Sequence, residues 1–305
     1  MNAVKTTVLA FGIAVAVGCV SFGGKCLCES SIRDVLTAHS DPSDDGGCAV
    51  VVDLESGAVV QSVSFGGITA KDLYEVGSVI EPLTVGIALD KDVAKIGSLY
   101  STELDRAKYP NLPNDGDHKW GAQMSVADAL VKSSNIVIGK LGADVGLDAL
   151  TDGLREFAIT PPTDGVACRM AVGHGVSASV EQIARAYAVL ANHGKEPWGE
   201  GRQIVKTEVA DAVCKALERV TTNEGTAKRA AVDGVRTAGK TGTAMRKVGG
   251  AYVADKFNAT FAGFVPSDVP RYVIVVRYAT GACKMHLGGQ RPAEAFSDIV
   301  RRLNF

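Results

Sequence analysis

The chain has 305 residues, of which 46% are hydrophobic and 22% charged, and its formal net charge is -2. This composition is typical of a globular protein and excludes an intrinsically disordered one. Without a basic surplus there is no electrostatic footprint for nucleic acid, so we expect no nucleic-acid partner. The sequence has no Cys-x-x-Cys pair and no His-Glu-x-x-His motif. We therefore expect neither a metal site nor a cofactor.

Residues 1–25 have the pattern of an N-terminal membrane anchor or signal segment. No charge occurs between Lys5 and Lys25, and the run from Val8 to Val20 is almost entirely apolar. A membrane-spanning helix needs roughly 17–25 apolar residues, so this run is near the lower limit. The first interpretation is a single uncleaved anchor in the cytoplasmic membrane, with the main domain outside the cytoplasm. A lipoprotein, with Cys19 as the lipidated residue, and a cleaved, secreted form are the alternatives.

The rest of the chain is predicted to be a linker, residues 26–47, followed by one domain, residues 48–305. Within these residues, two groups of strands flank a mainly helical middle. We predict an α/β fold of the α+β type, in which five strands form an antiparallel sheet with flanking helices and a helical subdomain. The predicted strands are Cys48–Leu54, Ala58–Val63, Thr237–Thr243, Ala259–Val265 and Tyr272–Tyr278; the predicted helices include Ser30–His39, segments after Ser125 and Ser179, Ile136–Leu141 and Pro292–Leu303.

Ser78 stands at the start of a predicted buried helix, after the turn Glu75-Val76-Gly77. One interpretation is structural, because Ser78-Val79-Ile80-Glu81 fits a capping box in which serine and glutamate satisfy backbone N–H groups. Pro82 weakens this interpretation, since it lacks the N–H that would bond the Ser78 carbonyl. The other interpretation is a nucleophile, because backbone N–H groups at a helix start stabilise developing negative charge.

Two further polar clusters supply what a nucleophilic serine needs. Ser133 and Asn135 flank a predicted helix break, where they could relay a proton and hold a substrate amide. Lys240 and Thr243, with Thr241 and Gly242 between them, lie on a predicted strand and could bind a substrate carboxylate. Three clusters in this order are typical of serine acylation.

The segment from Gly234 to Thr241 also matches the P-loop pattern G-x-x-x-x-G-K-[ST]. A P-loop requires a buried strand before it and a helix after it. The residues before Gly234 are polar, and Gly242, Thr243 and Gly249 after it are poor helix formers. Nucleotide binding is therefore kept only as a remote alternative.

The three clusters resemble the transpeptidase domain of class B penicillin-binding proteins, within the wider penicillin-binding and serine β-lactamase fold. The resemblance extends over nearly all of Cys48 to Phe305. The segments that carry it are Tyr74–Ser78, Lys132–Asn135 as the S-x-N motif, Ala238–Ala244 as the K-T-G strand, Gly173–Ser177 with Gln182–Ala184, Gly263–Pro266 and Gly288–Gln290.

The resemblance implies an acyl-serine D,D-transpeptidase that cross-links peptidoglycan stem peptides ending in D-Ala-D-Ala. It also implies acylation by β-lactams and contact with cell-wall synthesis proteins. The chain carries only a short linker where class B members have a large docking module. Assembly with division or elongation partners is therefore not supported by this chain alone.

Glu81 departs from the family pattern S-x-x-K, in which the lysine acts as the base. A glutamate at its usual pKa of roughly 4.3 is a weaker base, and loss of a general base typically costs roughly 10²–10⁴ in rate. Two functions therefore stay open. The first is a transpeptidase that is acylated at Ser78; the second is a catalytically silent homologue that binds stem peptides or partner proteins.

Overall fold

A five-stranded antiparallel sheet lies at the centre of the structure, a computed structural model that describes residues 20–22, 25–27, 29–282, 285 and 287–303. The strands are β1 (Val20–Phe22), β2 (Lys25–Leu27), β3 (Gly46–Asp53), β4 (Val59–Gly66), β5 (Tyr74–Glu75), β6 (Leu99–Ser101), β7 (Gln123–Ser125), β8 (Ser177–Ala178), β9 (Ala238–Val248), β10 (Ala251–Val265) and β11 (Tyr272–Thr280). The α-helices are α1 (Glu29–Ala38), α2 (Glu81–Asp90), α3 (Val126–Lys132), α4 (Asn135–Val145), α5 (Leu147–Glu156), α6 (Ala167–Met170), α7 (Val180–Ala191), α8 (Thr207–Val220) and α9 (Arg291–Leu303).

The sheet confirms the predicted fold class. Its spatial order is β4-β3-β11-β10-β9, so two N-terminal strands and three C-terminal strands form one sheet. Strand β3 is buried along its whole length, as its apolar residues on both faces predict. Helices α2 to α8 form the helical part between the two groups of strands.

Helices cover both faces of the sheet. On one face α9 packs Phe296 edge-to-face on Phe261 of β10, with ring centroids 4.8 Å apart. Helix α7 packs on the other face, against β3, β10 and β11. The predicted cap of α7 is confirmed, because Ser179 and Gln182 form a reciprocal capping box. Lys240 of β9 shares its face with Ala262 of β10, the residue paired with it across the strands.

Strands β9 and β10 are longer than predicted. They continue as a hairpin through Gly249 and Gly250, both with positive φ, and a bulge lies between Tyr252 and Phe257. The outer half of this hairpin is largely exposed. Its side chains do not alternate between polar and apolar, and that alternation is the signal from which a half-buried strand is predicted.

The P-loop interpretation is wrong. Residues Ala238 to Val248 form one continuous strand, so no helix follows Thr241. A P-loop needs the first turn of a helix at that point to present backbone N–H groups to phosphates.

The predicted anchor falls mostly outside the described residues, which begin at Val20. Strands β1 and β2 pair with each other as a small antiparallel sheet. In the part of the chain that the structure describes, no helix combines the length and hydrophobicity that a membrane span requires.

A buried ion pair joins the loop before β3 to the start of α9. Arg291 donates to both carboxylate oxygens of Asp44, at 2.5 and 2.9 Å, and the two side chains are only 8% and 1% exposed. We predict that Asp44→Asn lowers the free energy of unfolding by about 3 kcal/mol, because removing one partner leaves a buried charge uncompensated. Urea unfolding measures the change.

The matched control is Asp152→Asn, which also breaks an Asp–Arg pair, in this case with Arg155 at 3.0 Å. That pair is 71% and 60% exposed. Because exposed pairs contribute about 0–1 kcal/mol, a control effect as large as that of Asp44→Asn would contradict the prediction.

Candidate active site

Ser78 lies on a short 3-10 helix, Gly77–Ile80, that leads directly into α2. The backbone N–H of Glu81 donates to the Ser78 carbonyl. Pro82 follows in the first turn of α2, and it has no N–H to make the α-helical bond to Ser78. The sequence thus favours a tight turn here, and this turn leaves Ser78 half-buried at the wall of a cavity.

The capping-box interpretation of Ser78 and Glu81 is wrong. The N-cap of α2 is Ile80, that of the 3-10 helix is Val76, and neither helix start has a side-chain cap. The Glu81 side chain is fully buried and contacts groups from other elements. A fully buried carboxylate needs hydrogen bonds and a charge partner, and those partners decide where it points.

Glu81, Lys240 and Ser133 form one buried network. The Lys240 ammonium lies 3.1 Å from a Glu81 carboxylate oxygen, and both side chains are 0% exposed. Lys240 donates to the Ser133 hydroxyl at 2.8 Å, and this hydroxyl donates to the Glu81 carboxylate at 3.0 and 3.2 Å. Ser78 is also near enough to the carboxylate to lower the pKa of Glu81.

Burial shifts both charged groups of this network towards neutrality. Desolvation raises the pKa of Glu81, while the Lys240 charge and the hydrogen bonds oppose the rise. Desolvation likewise lowers the pKa of Lys240, against the attraction of Glu81. If the two groups share one proton, the pair has no net charge, whether the proton is on the Lys240 amine or on the Glu81 carboxylate.

The predicted helix break at residues 133–135 is confirmed, and its geometry explains its residues. Ser133 ends α3 in the left-handed conformation, with φ 58°, and so turns its hydroxyl towards Glu81. Ser134 caps α4 by accepting from the Val137 N–H. Asn135 begins α4, and its side-chain amide donates to the Asn114 carbonyl at 2.8 Å.

Four of the predicted site residues meet at a cavity of about 250 Å³. They are Ser78, Ser133, Thr241 and Thr243. Asn135 does not line this cavity; it lines a separate cavity of about 510 Å³. Lys240 and Glu81 are fully buried, behind the wall of the cavity at Ser78.

Close backbone contacts explain the glycines around Ser78. Gly77 has φ 58°, and a Cβ atom there would lie 2.8 Å from the Thr243 carbonyl. A Cβ on Gly173 would lie 2.1 Å from the Gly77 carbonyl, and one on Gly242 would lie 2.7 Å from the Val76 carbonyl. Glycine is the residue that lets three backbone segments approach this closely. The Gly288 N–H donates to the Thr243 hydroxyl at 3.1 Å on the opposite wall.

Sequence reasoning missed Asp115, which organises the turn at residues 133–135. Its buried carboxylate accepts from the Ser134 hydroxyl at 2.7 Å, from the Ile136 N–H at 3.0 Å and from the Trp120 indole at 2.6 Å. The surrounding Asn-Asp-Gly-Asp sequence predicts only a loop. Nothing local shows that the loop folds back onto α4. Thr226 was missed as well; its hydroxyl lies 2.9 Å from that of Thr241 at the cavity wall.

We predict that Asp115→Asn lowers the free energy of unfolding by about 2 kcal/mol. The amide nitrogen that replaces one carboxylate oxygen cannot accept, so a buried donor loses its partner. Urea unfolding tests this, with Asp117→Asn in the same loop as the control, because Asp117 is exposed. Equal effects of the two substitutions would contradict the role assigned to Asp115.

Comparison with known proteins identifies the domain to which this cluster belongs. The model of the penicillin-binding protein transpeptidase domain matches residues 47–301. The probable peptidoglycan D,D-transpeptidase PenA of Neisseria gonorrhoeae is 29% identical over 205 residues, which cover 58% of this chain and 35% of that protein. Peptidoglycan D,D-transpeptidase FtsI of Escherichia coli (strain K12) is 27% identical over 209 residues, which cover 59% of this chain and 35% of that protein.

A solved structure agrees with the sequence matches. The TP domain of penicillin-binding protein 3 from Burkholderia pseudomallei superposes with a TM-score of 0.79 at 28% identity, covering 90% of this chain and 92% of that one. The matched regions span 35% of the length of PenA and FtsI, so it is the transpeptidase domain that is shared. As its motifs predict, the chain belongs to the family of penicillin-binding protein transpeptidase domains, and its curated relatives are of class B.

Proposed function

We propose that this protein is a cell-wall protein of penicillin-binding type that binds stem peptides ending in D-Ala-D-Ala. Its Ser78 is not acylated at the rate of family enzymes that carry the S-x-x-K lysine. The observation that carries the proposal is the Glu81 carboxylate, fully buried at the family's lysine position and only 3.1 Å from Lys240. Ser78 keeps the place of the nucleophile, while the group that would activate it has changed.

The electrostatics of acylation support a silent site. Attack by a serine creates an oxyanion, which a cationic lysine beside it would stabilise. An ionised Glu81 on its own would oppose that charge by roughly 4 kcal/mol at about 4 Å and an effective dielectric constant near 20, which is about a thousandfold in rate. The Lys240 ammonium 3.1 Å away offsets this repulsion, so the pair supplies no net positive charge to the oxyanion. A protonated Glu81 accepts no proton from Ser78, so it is not a base.

Lys240 does not compensate for the missing cation. It is bound to Glu81 and Ser133, and the pair has no net charge. By contrast, Thr241 and Thr243 still line the cavity at which Ser78 lies. The features that support ligand binding are thus retained, whereas the charge that supports catalysis is not.

A D,D-transpeptidase acylated at Ser78 is the second candidate. The proximity of Ser78 to Glu81, which lowers the pKa of that carboxyl group, favours it, because an ionised carboxylate near a nucleophile can act as a base. Ser133 bridges Glu81 to the cavity and could return the proton to a leaving group.

In either case we propose that the domain acts outside the cytoplasm at the cytoplasmic membrane, where peptidoglycan is built. Residues 1–25 would supply the anchor or signal, and β-lactams and cell-wall synthesis proteins would be its further partners. Family membership supports this placement.

We predict that wild-type protein gives no covalent adduct with a fluorescent penicillin, whereas Glu81→Lys gives an adduct at Ser78. The new lysine would restore both the base and the positive charge, worth about 10² or more in acylation rate. Intact-mass spectrometry of both proteins reads the result.

Two controls make this labelling experiment decisive. The double variant Ser78→Ala/Glu81→Lys should lose the adduct, which assigns it to Ser78. A stable adduct on the wild type would overturn the silent-site proposal in favour of the second candidate. If Glu81→Lys folds and also fails to label, residue 81 is not what silences the site.

We predict that the wild type binds a D-Ala-D-Ala-terminated pentapeptide reversibly and that Thr243→Val weakens binding about tenfold, the effect of losing one good hydrogen bond. Isothermal titration calorimetry measures the affinity. Thr37→Val, at an exposed position of α1, is the matched control and should bind like the wild type. An unchanged affinity in Thr243→Val would exclude the proposed binding mode.

A further inference from the structure

Three neighbouring cavities lead away from Ser78, and we call this row of cavities the groove. The 250 Å³ cavity at Ser78 shares Thr243 with a neighbouring cavity of about 760 Å³. The latter shares Arg169 and His174 with the 510 Å³ cavity that Asn135 lines. A ligand longer than a dipeptide could therefore extend from Ser78 past Thr243 to Arg169.

The far cavity has a distinctive chemistry. Its lining contains two guanidinium groups, three side-chain amides and one imidazole, and it contains no carboxylate. Partial desolvation and the nearby Arg169 charge lower the pKa of His174, so the arginines carry the positive charge of this cavity at pH 7. The lining residues are Arg106, Asn111, Leu112, Pro113, Asn114, Asn135, Arg169 and His174.

Arg106 and Arg169 are available to a ligand. Neither guanidinium forms an ion pair with any residue in the ranges that the structure describes; Arg106 makes one long hydrogen bond, 3.4 Å, to the Leu112 carbonyl. Both side chains are exposed at the groove. Most other arginines of the fold, such as Arg219 and Arg291, are bound to acidic partners.

The other cations near the groove are less suited to bind an anion. Lys240 is fully buried and paired with Glu81. Lys247 lies in the middle cavity with its ammonium 4.7 Å from the centre of the Tyr252 ring. That cavity also contains Glu75 and Asp164, whose charges oppose a ligand carboxylate.

We propose that the 510 Å³ cavity is an anion subsite in which Arg106 and Arg169 bind a side-chain carboxylate of a peptide whose C-terminal end lies at Ser78. This rests on the proposed function, since it assumes that the groove binds a peptide. It names the substrate class, an acidic peptide. Arginine suits this role because its planar fork of donors matches the two oxygens of a carboxylate.

The test compares two D-Ala-D-Ala-terminated pentapeptides that differ only in glutamate or glutamine at the second position. By calorimetry, the wild type should bind the glutamate peptide about tenfold more tightly, the ratio that 1.4 kcal/mol produces. In Arg106→Gln/Arg169→Gln the two peptides should bind equally. In Arg155→Gln/Arg301→Gln, which removes two exposed arginines elsewhere, the preference should remain.

A thermal-shift titration with glutarate and with inorganic phosphate separates the subsite from the proposed function. If neither peptide binds but glutarate raises the melting temperature only when Arg106 and Arg169 are present, the subsite stands and the peptide-binding function fails. Equal binding of both peptides by the wild type, or a preference that survives the double substitution, overturns the subsite. Stabilisation by phosphate but not by glutarate overturns its assignment to a carboxylate.

Discussion

The contact between Glu81 and Lys240 is the constraint on which the site depends. A fully buried carboxyl group and a fully buried amine must satisfy each other, because neither group can be left without a partner in a low-dielectric interior. Glu81 begins α2 of the helical part and Lys240 lies on β9 of the sheet, so the pair joins the two parts of the domain. Ser133 contacts both charges and brings in the turn between α3 and α4. The three motifs meet because these three side chains meet.

This contact also changes what the site can do. Family enzymes are expected to place a lysine at position 81, so that the centre carries positive charge during acylation. Here the centre is a neutral pair, while two arginines that form no ion pair with a described residue, Arg106 and Arg169, lie outside it in the groove. Under the proposed function, the binding surface and the catalytic centre are therefore electrostatically separate. Such a groove would bind an anionic ligand better than it would stabilise an oxyanion at Ser78.

Much of the fold could be predicted from the sequence, because it depends on local patterns. The apolar run of β3 predicts a central strand, and Ser125 and Ser179 cap α3 and α7 as their sequences predict. The meeting of Ser78, Ser133 and Thr243 could be predicted only from the family resemblance, since no local pattern brings distant segments together.

The remaining features depend on long-range contacts. Ser78-Val79-Ile80-Glu81 matches a capping box locally, but Lys240, far away in sequence, holds Glu81 in the interior. Asp115 lies in a loop whose composition is ordinary, and its role follows from a fold that returns it to α4. The outer half of the β9–β10 hairpin has no buried face to give it a sequence signal; one contact that fixes it is the bond from the Tyr252 hydroxyl to Glu75.

A double-mutant cycle at Glu81 and Lys240 tests the central constraint most directly. The free energies of unfolding of Glu81→Met, Lys240→Met and the double variant are compared with that of the wild type. If the two charges satisfy each other, each single variant leaves an unpaired buried charge and the double variant does not, so we expect the double variant to be more stable than either single one, with a coupling energy of about 2–3 kcal/mol. Additive losses, with the double variant the least stable of the three, would contradict the pairing of Glu81 with Lys240.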